Sequence, residues 1–180
     1  MVDNAYLNAA IPYLAVRTEP DKVLREVSKP ITVIDNHLKS FMYALLSIMH
    51  KEQGIGIAAI QVGIPIRAFI VQINLDEPAF FMLNPEIKQL SKEIIILPEG
   101  CLSVKTLENK IKRGHVERPK DITITYTDLE NKRHELKVSG DESEYHLWLA
   151  RCIQHEYDHL DGILFIDKLV NADECLVVDK

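Results

Sequence analysis

The chain has 180 residues, with 21 Lys and Arg against 27 Asp and Glu for a formal net charge of −6, and 47% of its residues are hydrophobic and 27% charged. This length suits one domain of roughly 100–200 residues with a core that needs no disulfides, so a single domain over residues 1–180 is expected. The balance excludes a disordered chain and argues against nonspecific nucleic-acid binding, although an acidic protein can still carry a basic groove.

Cys101, Cys152 and Cys175 are too few and too scattered for the framework of a small secreted domain, and one would be left over. No apolar run approaches the ~18 residues that cross a bilayer. Asp3 precedes the first basic residue, Arg17, where a secretory leader would be basic. A reducing, cytoplasmic setting without membrane attachment is therefore expected.

Residues 1–30, punctuated by Pro12, Pro20 and Pro30, read as irregular. Asp35 or Asn36 can cap a helix whose apolar residues Leu38, Phe41, Met42, Leu45, Leu46 and Met49 recur at helical spacing, ending near Gln53-Gly54. Arg67 to Ile73 and Phe80 to Leu83 read as strands, and Ile94 to Leu97 as a short buried run stopped by Pro98. Ile122, Ile124 and Tyr126 alternate with threonines, and Glu130-Asn131 then turns the chain into Lys132 to Val138, which predicts a hairpin with one wet face. A final helix is expected from Glu142 or Ser143 to His159, with Asp141 or Ser143 as its cap and Gly162 just past its end.

That helix carries His155-Glu156-Tyr157-Asp158-His159, an H-E-x-x-H pattern. Its two imidazoles differ by about 40° in direction and ~6 Å in rise, so both can reach one metal ion. On a helical wheel Glu156 falls in the middle of an apolar arc with Trp148, Cys152, Tyr145, Leu149, Leu160 and Ile153, whereas Asp158 falls beside Arg151, Glu144 and Gln154. Glu156 is therefore expected buried and Asp158 wet. Desolvation raises a carboxylate's pKa toward the range of a general base, which makes Glu156 the acid/base candidate.

A catalytic metal usually takes three protein ligands. The extended H-E-x-x-H-x-x-G-x-x-H pattern needs His where this chain has Phe165, and only Glu174 offers a downstream glutamate, so the third ligand is sought upstream. Cys101 in Glu99-Gly100-Cys101-Leu102-Ser103 is the candidate, because a soft thiolate beside imidazoles suits zinc or ferrous iron. A lone cysteine is by itself more often a small buried hydrophobe. In Gly54-Ile55-Gly56-Ile57-Ala58-Ala59-Ile60-Gln61, small residues permit close backbone approach and Gln61 supplies an amide for an oxyanion; a tight helix-to-strand connection would read the same way.

Together these three segments resemble the peptide deformylase family, whose signatures G-x-G-x-A-A-x-Q, E-G-C-L-S and Q-H-E-x-D-H stand at Gly54 to Gln61, Glu99 to Ser103 and Gln154 to His159. The resemblance implies an α+β fold, with antiparallel β-sheets packed around a central helix bearing H-E-x-x-H in the C-terminal half, plus an N-terminal helix. It implies a metal-dependent hydrolase that takes the formyl group from the formyl-methionine of new polypeptides and releases formate.

By the same resemblance Cys101, His155 and His159 would hold Fe(II), with zinc, nickel or cobalt as substitutes. Glu156 would move the proton, and Gln61 with the Leu102 N–H would stabilise the oxyanion. The peptide would bind through Ile55, Gly56, Glu99, Gly100 and Arg113, its methionine in a pocket near Leu97, Trp148 and Cys152. The expected partners are formylmethionyl peptides and nascent chains near the ribosome, with no membrane, no specific nucleic acid and no second subunit, the protein acting as a monomer. Ile60 and Lys105 stand where that family commonly has proline, Thr106 to Lys112 reads as an insertion before Arg113, and the first twenty residues depart from the usual pattern. A metallopeptidase and a noncatalytic metal module are the competing readings of the same helix.

Overall fold

The structure, a computed structural model, describes residues 4–171 and 176–177; Cys175 and Glu174 lie outside them. Among the described residues three helices, α1 (Ala5–Ala10), α2 (Asn36–Lys51) and α3 (Glu144–Leu160), accompany eight strands. The strands are β1 (Gly56–Ala58), β2 (Ala68–Val71), β3 (Phe80–Leu90), β4 (Ile94–Lys105), β5 (Ile111–Pro119), β6 (Ile122–Thr127), β7 (Arg133–Val138) and β8 (Leu176–Val177). They form an antiparallel five-stranded sheet ordered β1-β2-β3-β6-β7 and an antiparallel three-stranded sheet ordered β4-β5-β8, so the fold is α+β.

The larger sheet is covered on both faces, and β2 shows why its sequence is an unbroken apolar run. Ala68 and Ile70 point to a core shared with Leu38, Phe41, Leu45 and Met49 of α2. Phe69 and Val71 point to the opposite core, shared with Leu149, Ile153 and Leu160 of α3. Successive strand residues alternate sides, so a two-faced sheet needs apolar residues at every position. Phe69 is fully buried, and trimming such a ring to Ala costs about 3–5 kcal/mol. Each long helix starts on a side-chain cap: Asp35 accepts from Leu38 N at 2.9 Å, and Ser143 Oγ accepts from His146 N at 3.3 Å.

Several expectations need correction. The N-terminal region is not wholly irregular: α1 and two short 3-10 turns, Ile11–Tyr13 and Lys22–Arg25, occupy part of it. Strand β3 does not stop at Leu83 but continues past Pro85, because Asn84 takes φ +45 and the pairing with β6 slips there, a bulge that absorbs the proline. Strand β4 passes through Pro98, which pairs with His115; β4 is an edge strand, where a missing N–H is tolerated. Strand β5 went unread because its inward positions Gly114, Val116 and Arg118 mix glycine, an apolar residue and a buried charge, so no apolar period shows. The segment read as an insertion is the tip of the β4–β5 hairpin, where Thr106 N donates to Lys110 O at 2.8 Å, together with the first residues of β5.

Candidate metal centre

The edge strands β1 and β4 face each other across a cleft of about 210 Å³, and α3 forms its floor. His155 and His159 sit one turn apart near the end of α3, and Cys101 reaches them from β4. One ligand atom from each of the three lies within 4.8 Å of the other two, and Cys101 Sγ is 3.3 Å from His159 Nε2. A tetrahedral ion with bonds of about 2.0–2.3 Å would hold its ligand atoms roughly 3.3–3.8 Å apart, a spacing that the Cys101–His159 pair already has and that the third atom lies near. All three residues are buried, and Cys101 and His155 line the cleft while His159 stands behind them.

The orientation of His155 is set from behind. Its Nδ1 lies 2.9 Å from Glu99 Oε2, which leaves Nε2 for an ion, and Phe165 stacks on the ring with centroids 6.2 Å apart. Arg118 grips the same carboxylate with two hydrogen bonds, Nε at 2.8 Å and Nη2 at 2.9 Å. Arg151 Nε approaches Glu99 Oε1 at 2.9 Å as an ion contact without hydrogen-bond geometry, while its Nη groups donate to the carbonyls of Ile95, Leu97 and Val116.

Burial opposes charge on Glu99, yet Arg118 and His155 outweigh it and hold its pKa far below the carboxylate range. Burial first, and the neighbouring Arg118, push Arg151 down to about 10. On His155 burial opposes charge, but the Cys101 sulfur and Glu99 together raise its pKa well above the ordinary value. The pocket is thus shaped for a cation, and an ion would take the proton's place. For His159, burial and the charge of His155 keep the ring neutral, as a metal ligand must be.

Glu156 is 3% exposed, its Oε2 has no hydrogen-bond partner, and it lines the cleft. Desolvation is the main cause that raises its pKa to about 7, the value at which a carboxylate can both take and return a proton near neutrality. Gly56 lies directly over it: a Cβ there would stand 2.5 Å from Glu156 Oε1 and 2.6 Å from Cys152 Sγ, so only glycine fits. Gln61 is 1% exposed; its Oε1 accepts from Ala58 N at 2.8 Å, and its Nε2 donates to Ser103 Oγ at 3.1 Å and Cys101 Sγ at 3.4 Å. The amide is therefore held against the ligand sulfur. Leu102, 7% exposed, lines the cleft beside it.

The peptide-facing residues divide. Ile55, Gly56, Gly100, Arg113, Trp148 and Cys152 line the cleft as expected from the sequence, with Arg113 exposed on the β5 side. Leu97 does not; Pro98 takes the lining, and Leu97 offers its carbonyl to Arg151. Glu99 lines the wall, but both its oxygens are spent on Arg118, Arg151 and His155, so it holds the imidazole rather than a peptide. Asp158 is not wet: it is 9% exposed and paired with Arg118 at 2.5 Å and Lys168 at 2.7 Å. The wheel placed it beyond the apolar arc, where β5 arrives with its own arginine. Arg118 and the lining residues Gln53 and Ile111 were not singled out from the sequence, and Arg151 stood there only on the polar side of the helical wheel; a charge at an inward-facing strand position is the one signal that could have marked Arg118.

Two imidazoles at helical spacing, a cysteine sulfur and a buried glutamate gathered at one cleft are the residues of a metal-dependent hydrolase site. The family model described as polypeptide deformylase matches residues 13–174. A peptide deformylase of Wolbachia sp. subsp. Drosophila simulans is 41% identical over 178 residues, covering 93% of each chain. Among solved structures, a peptide deformylase from Synechococcus elongatus in complex with actinonin superposes with TM-score 0.80 at 34% identity, covering 91% of this chain and 82% of that one. A Met-Ala-Ser-bound peptide deformylase from Acinetobacter baumannii gives 0.76 at 33%, covering 87% and 98%. The chain belongs to the polypeptide deformylase family.

Proposed function

We propose that this chain removes the N-formyl group from formylmethionyl peptides through an ion held by Cys101, His155 and His159. The convergence of those three donor atoms within 4.8 Å beside Glu156 is the observation that carries the reading. When bound, an ion held by these residues would act as a Lewis acid and acidify the attacking water. Glu156 takes the proton released as the formyl carbon is attacked, and returns it to the amine nitrogen as the C–N bond breaks. Its buried setting, with a pKa of about 7, suits both halves of that transfer.

The Leu102 N–H donates to the carbonyl oxygen as negative charge builds, and the Gln61 amide joins it by releasing its long contact with the Cys101 sulfur, a weak acceptor. Ser103 and Ala58 hold that amide beside the sulfur, which keeps it at the reacting centre. The peptide adds as a strand between β1 and β4, using backbone at Ile55, Gly56 and Gly100, and Arg113 holds its outer end. The Ile55 carbonyl already accepts from Gln72 N at 2.8 Å, so pairing there falls to other backbone groups. The methionine side chain lies against Trp148 and Cys152.

A thiolate with two imidazoles suits either zinc or ferrous iron, and the family resemblance favours Fe(II), with zinc, nickel or cobalt able to substitute. Anaerobic purification with elemental analysis tests this: oxygen-sensitive activity that tracks iron content supports Fe(II). The substrates are nascent chains near the ribosome, and the site needs no second subunit, so a cytoplasmic monomer as one domain suffices. No helix among the described residues is long and apolar enough to cross a membrane. With formyl-Met-Ala and Met-Ala as paired substrates, only the first should be consumed, yielding one formate per turnover; cleavage of intact Met-Ala would instead make the protein a metallopeptidase.

A further inference from the structure

Ser103 is fully buried and stands outside the cleft lining, yet it bonds to two residues that belong to it, Gln61 and Cys101. The pairing of β4 with β5 breaks between Gly100 and Lys105, which frees the Ser103 backbone for other partners. Its N–H donates to Cys101 Sγ at 3.4 Å, and its carbonyl accepts from Glu19 N at 2.8 Å. Two residues earlier in the same segment, Arg17 N donates to the Gln61 carbonyl at 2.7 Å, so residues 17–19 bond to the backbones of both Gln61 and Ser103. Held at both backbone groups, Ser103 presents its hydroxyl as a fixed acceptor, and Gln61 Nε2 donates to it at 3.1 Å.

The orientation of the Gln61 amide follows from its other end. Ala58 N can only donate, and it donates to Gln61 Oε1 at 2.8 Å, so the NH2 group faces Ser103 and the sulfur. Among the described residues the two amide hydrogens have two acceptors, Ser103 Oγ and, at the longer distance of 3.4 Å, Cys101 Sγ. The sulfur is the weaker acceptor and the one beside the reacting centre, so the hydrogen on it is the one available to a developing oxyanion. That transfer is easy while the first hydrogen keeps an acceptor of its own. With no hydroxyl at position 103, both hydrogens of a buried amide depend on the sulfur, and the substrate oxygen has to compete for them.

We propose that Ser103 is the positioning residue that makes the Gln61 amide a switchable donor: its hydroxyl holds one hydrogen throughout the reaction, and the second moves from the Cys101 sulfur to the substrate oxygen. This assignment rests on the deformylase reading of the cleft. Ser103 touches neither substrate nor reacting atoms. Because the oxygen gathers charge only on the way to the transition state, the effect falls on kcat and leaves KM alone.

The test uses the metal-loaded full chain and formyl-Met-Ala. Ser103→Ala keeps both backbone bonds and removes the hydroxyl; kcat should fall roughly tenfold, with KM within about twofold and the metal content of the parent. Gln61→Ala should lower kcat roughly 10²- to 10³-fold, and in that background Ser103→Ala should change kcat by less than about twofold, since no amide is left to position. A second readout needs no turnover. In the Co(II)-substituted protein the thiolate-to-cobalt charge-transfer band should move to longer wavelength in Gln61→Ala, which strips one N–H from the sulfur, and hold its place in Ser103→Ala, where the amide stays on the sulfur. Parent kcat in Ser103→Ala, an equal fall in both backgrounds, or a band shift in Ser103→Ala as large as that in Gln61→Ala would overturn the proposal. Should Ser103→Ala fail to fold, Ser103→Cys, with a weakly accepting sulfur in nearly the same shape, takes its place in both measurements. A parent enzyme that releases no formate would instead defeat the deformylase reading and leave the band shifts as they are.

Discussion

Behind the metal triad, Glu99, Arg118, Arg151 and Asp158 form a buried lattice in which the Glu99 carboxylate has several partners and Arg118 bridges two acids. In front of it, Glu156 Oε2 is just as buried and has no hydrogen-bond partner among the described residues. The carboxylates of the two regions are driven in opposite directions, Glu99 well below the usual range and Glu156 up to about 7. A saturated carboxylate is fixed in charge and geometry and can only orient its neighbour. An unsatisfied one is destabilised as an anion, and that stored cost makes it competent to accept a proton.

The sharpest way to break this contrast is at the front. Glu156→Gln keeps the shape but removes the titrating oxygen, and kcat should fall roughly 10²- to 10⁴-fold while metal content stays at one ion per chain. Loss of metal in that variant would assign Glu156 to the ligand shell instead. Gly56→Ala acts on the same group indirectly, since its methyl must displace Glu156 Oε1 from 2.5 Å and Cys152 Sγ from 2.6 Å. A displacement of about 1 Å at a reacting group costs on the order of 10²-fold, so turnover should drop by that amount with metal affinity nearly intact.

At the back the expected signature is reversed. Glu99→Gln leaves Arg118 and Arg151 short of a charge and His155 without its anionic anchor, so metal affinity, measured by competition with a chelator, should fall roughly 10- to 100-fold. The turnover of fully metallated variant should change far less than in Glu156→Gln. If chelator competition gave the parent affinity, the lattice would be structural support for β4 and β5 and nothing more.

The legibility of these two regions in the sequence differs for a physical reason. His155, His159 and Glu156 share one helix, and helical spacing alone predicts which way they face, so the front of the site could be read from a short segment. The back depends on β5 crossing α3, a contact of high sequence separation that no single-segment periodicity contains; this is why Asp158 read as wet although Arg118 buries it. The same limit hid β5 itself, whose inward Arg118 belongs to the site rather than to an apolar core. Caps were legible because Asp35 and Ser143 act within three residues. Proline misled at Pro98, where an edge position absorbs the missing N–H, and the bulge that carries β3 past Pro85 was equally hidden; neither can be recognised before the sheet order is known. Cys101 could be nominated from its chemistry, but its convergence with the histidines belongs to the fold.

The smallest effect probes how the front wall acquires its unusual electrostatics. Cys152 lines the cleft yet is 7% exposed, and its thiol pKa is raised well above the ordinary value, chiefly by burial and secondarily by the charges of Glu156 and Glu99. Alkylation at Cys152 in the metal-loaded protein, followed by peptide mass spectrometry, should be slow at pH 8 and accelerate only as pH rises further, because the thiolate is the reactive form. Removing the neighbouring charge with Glu156→Gln lowers that pKa, so the rate should increase, but by less than about tenfold, one pKa unit, if desolvation dominates. A larger acceleration would mean that the charge of Glu156, rather than burial, is the main cause that holds the Cys152 thiol protonated.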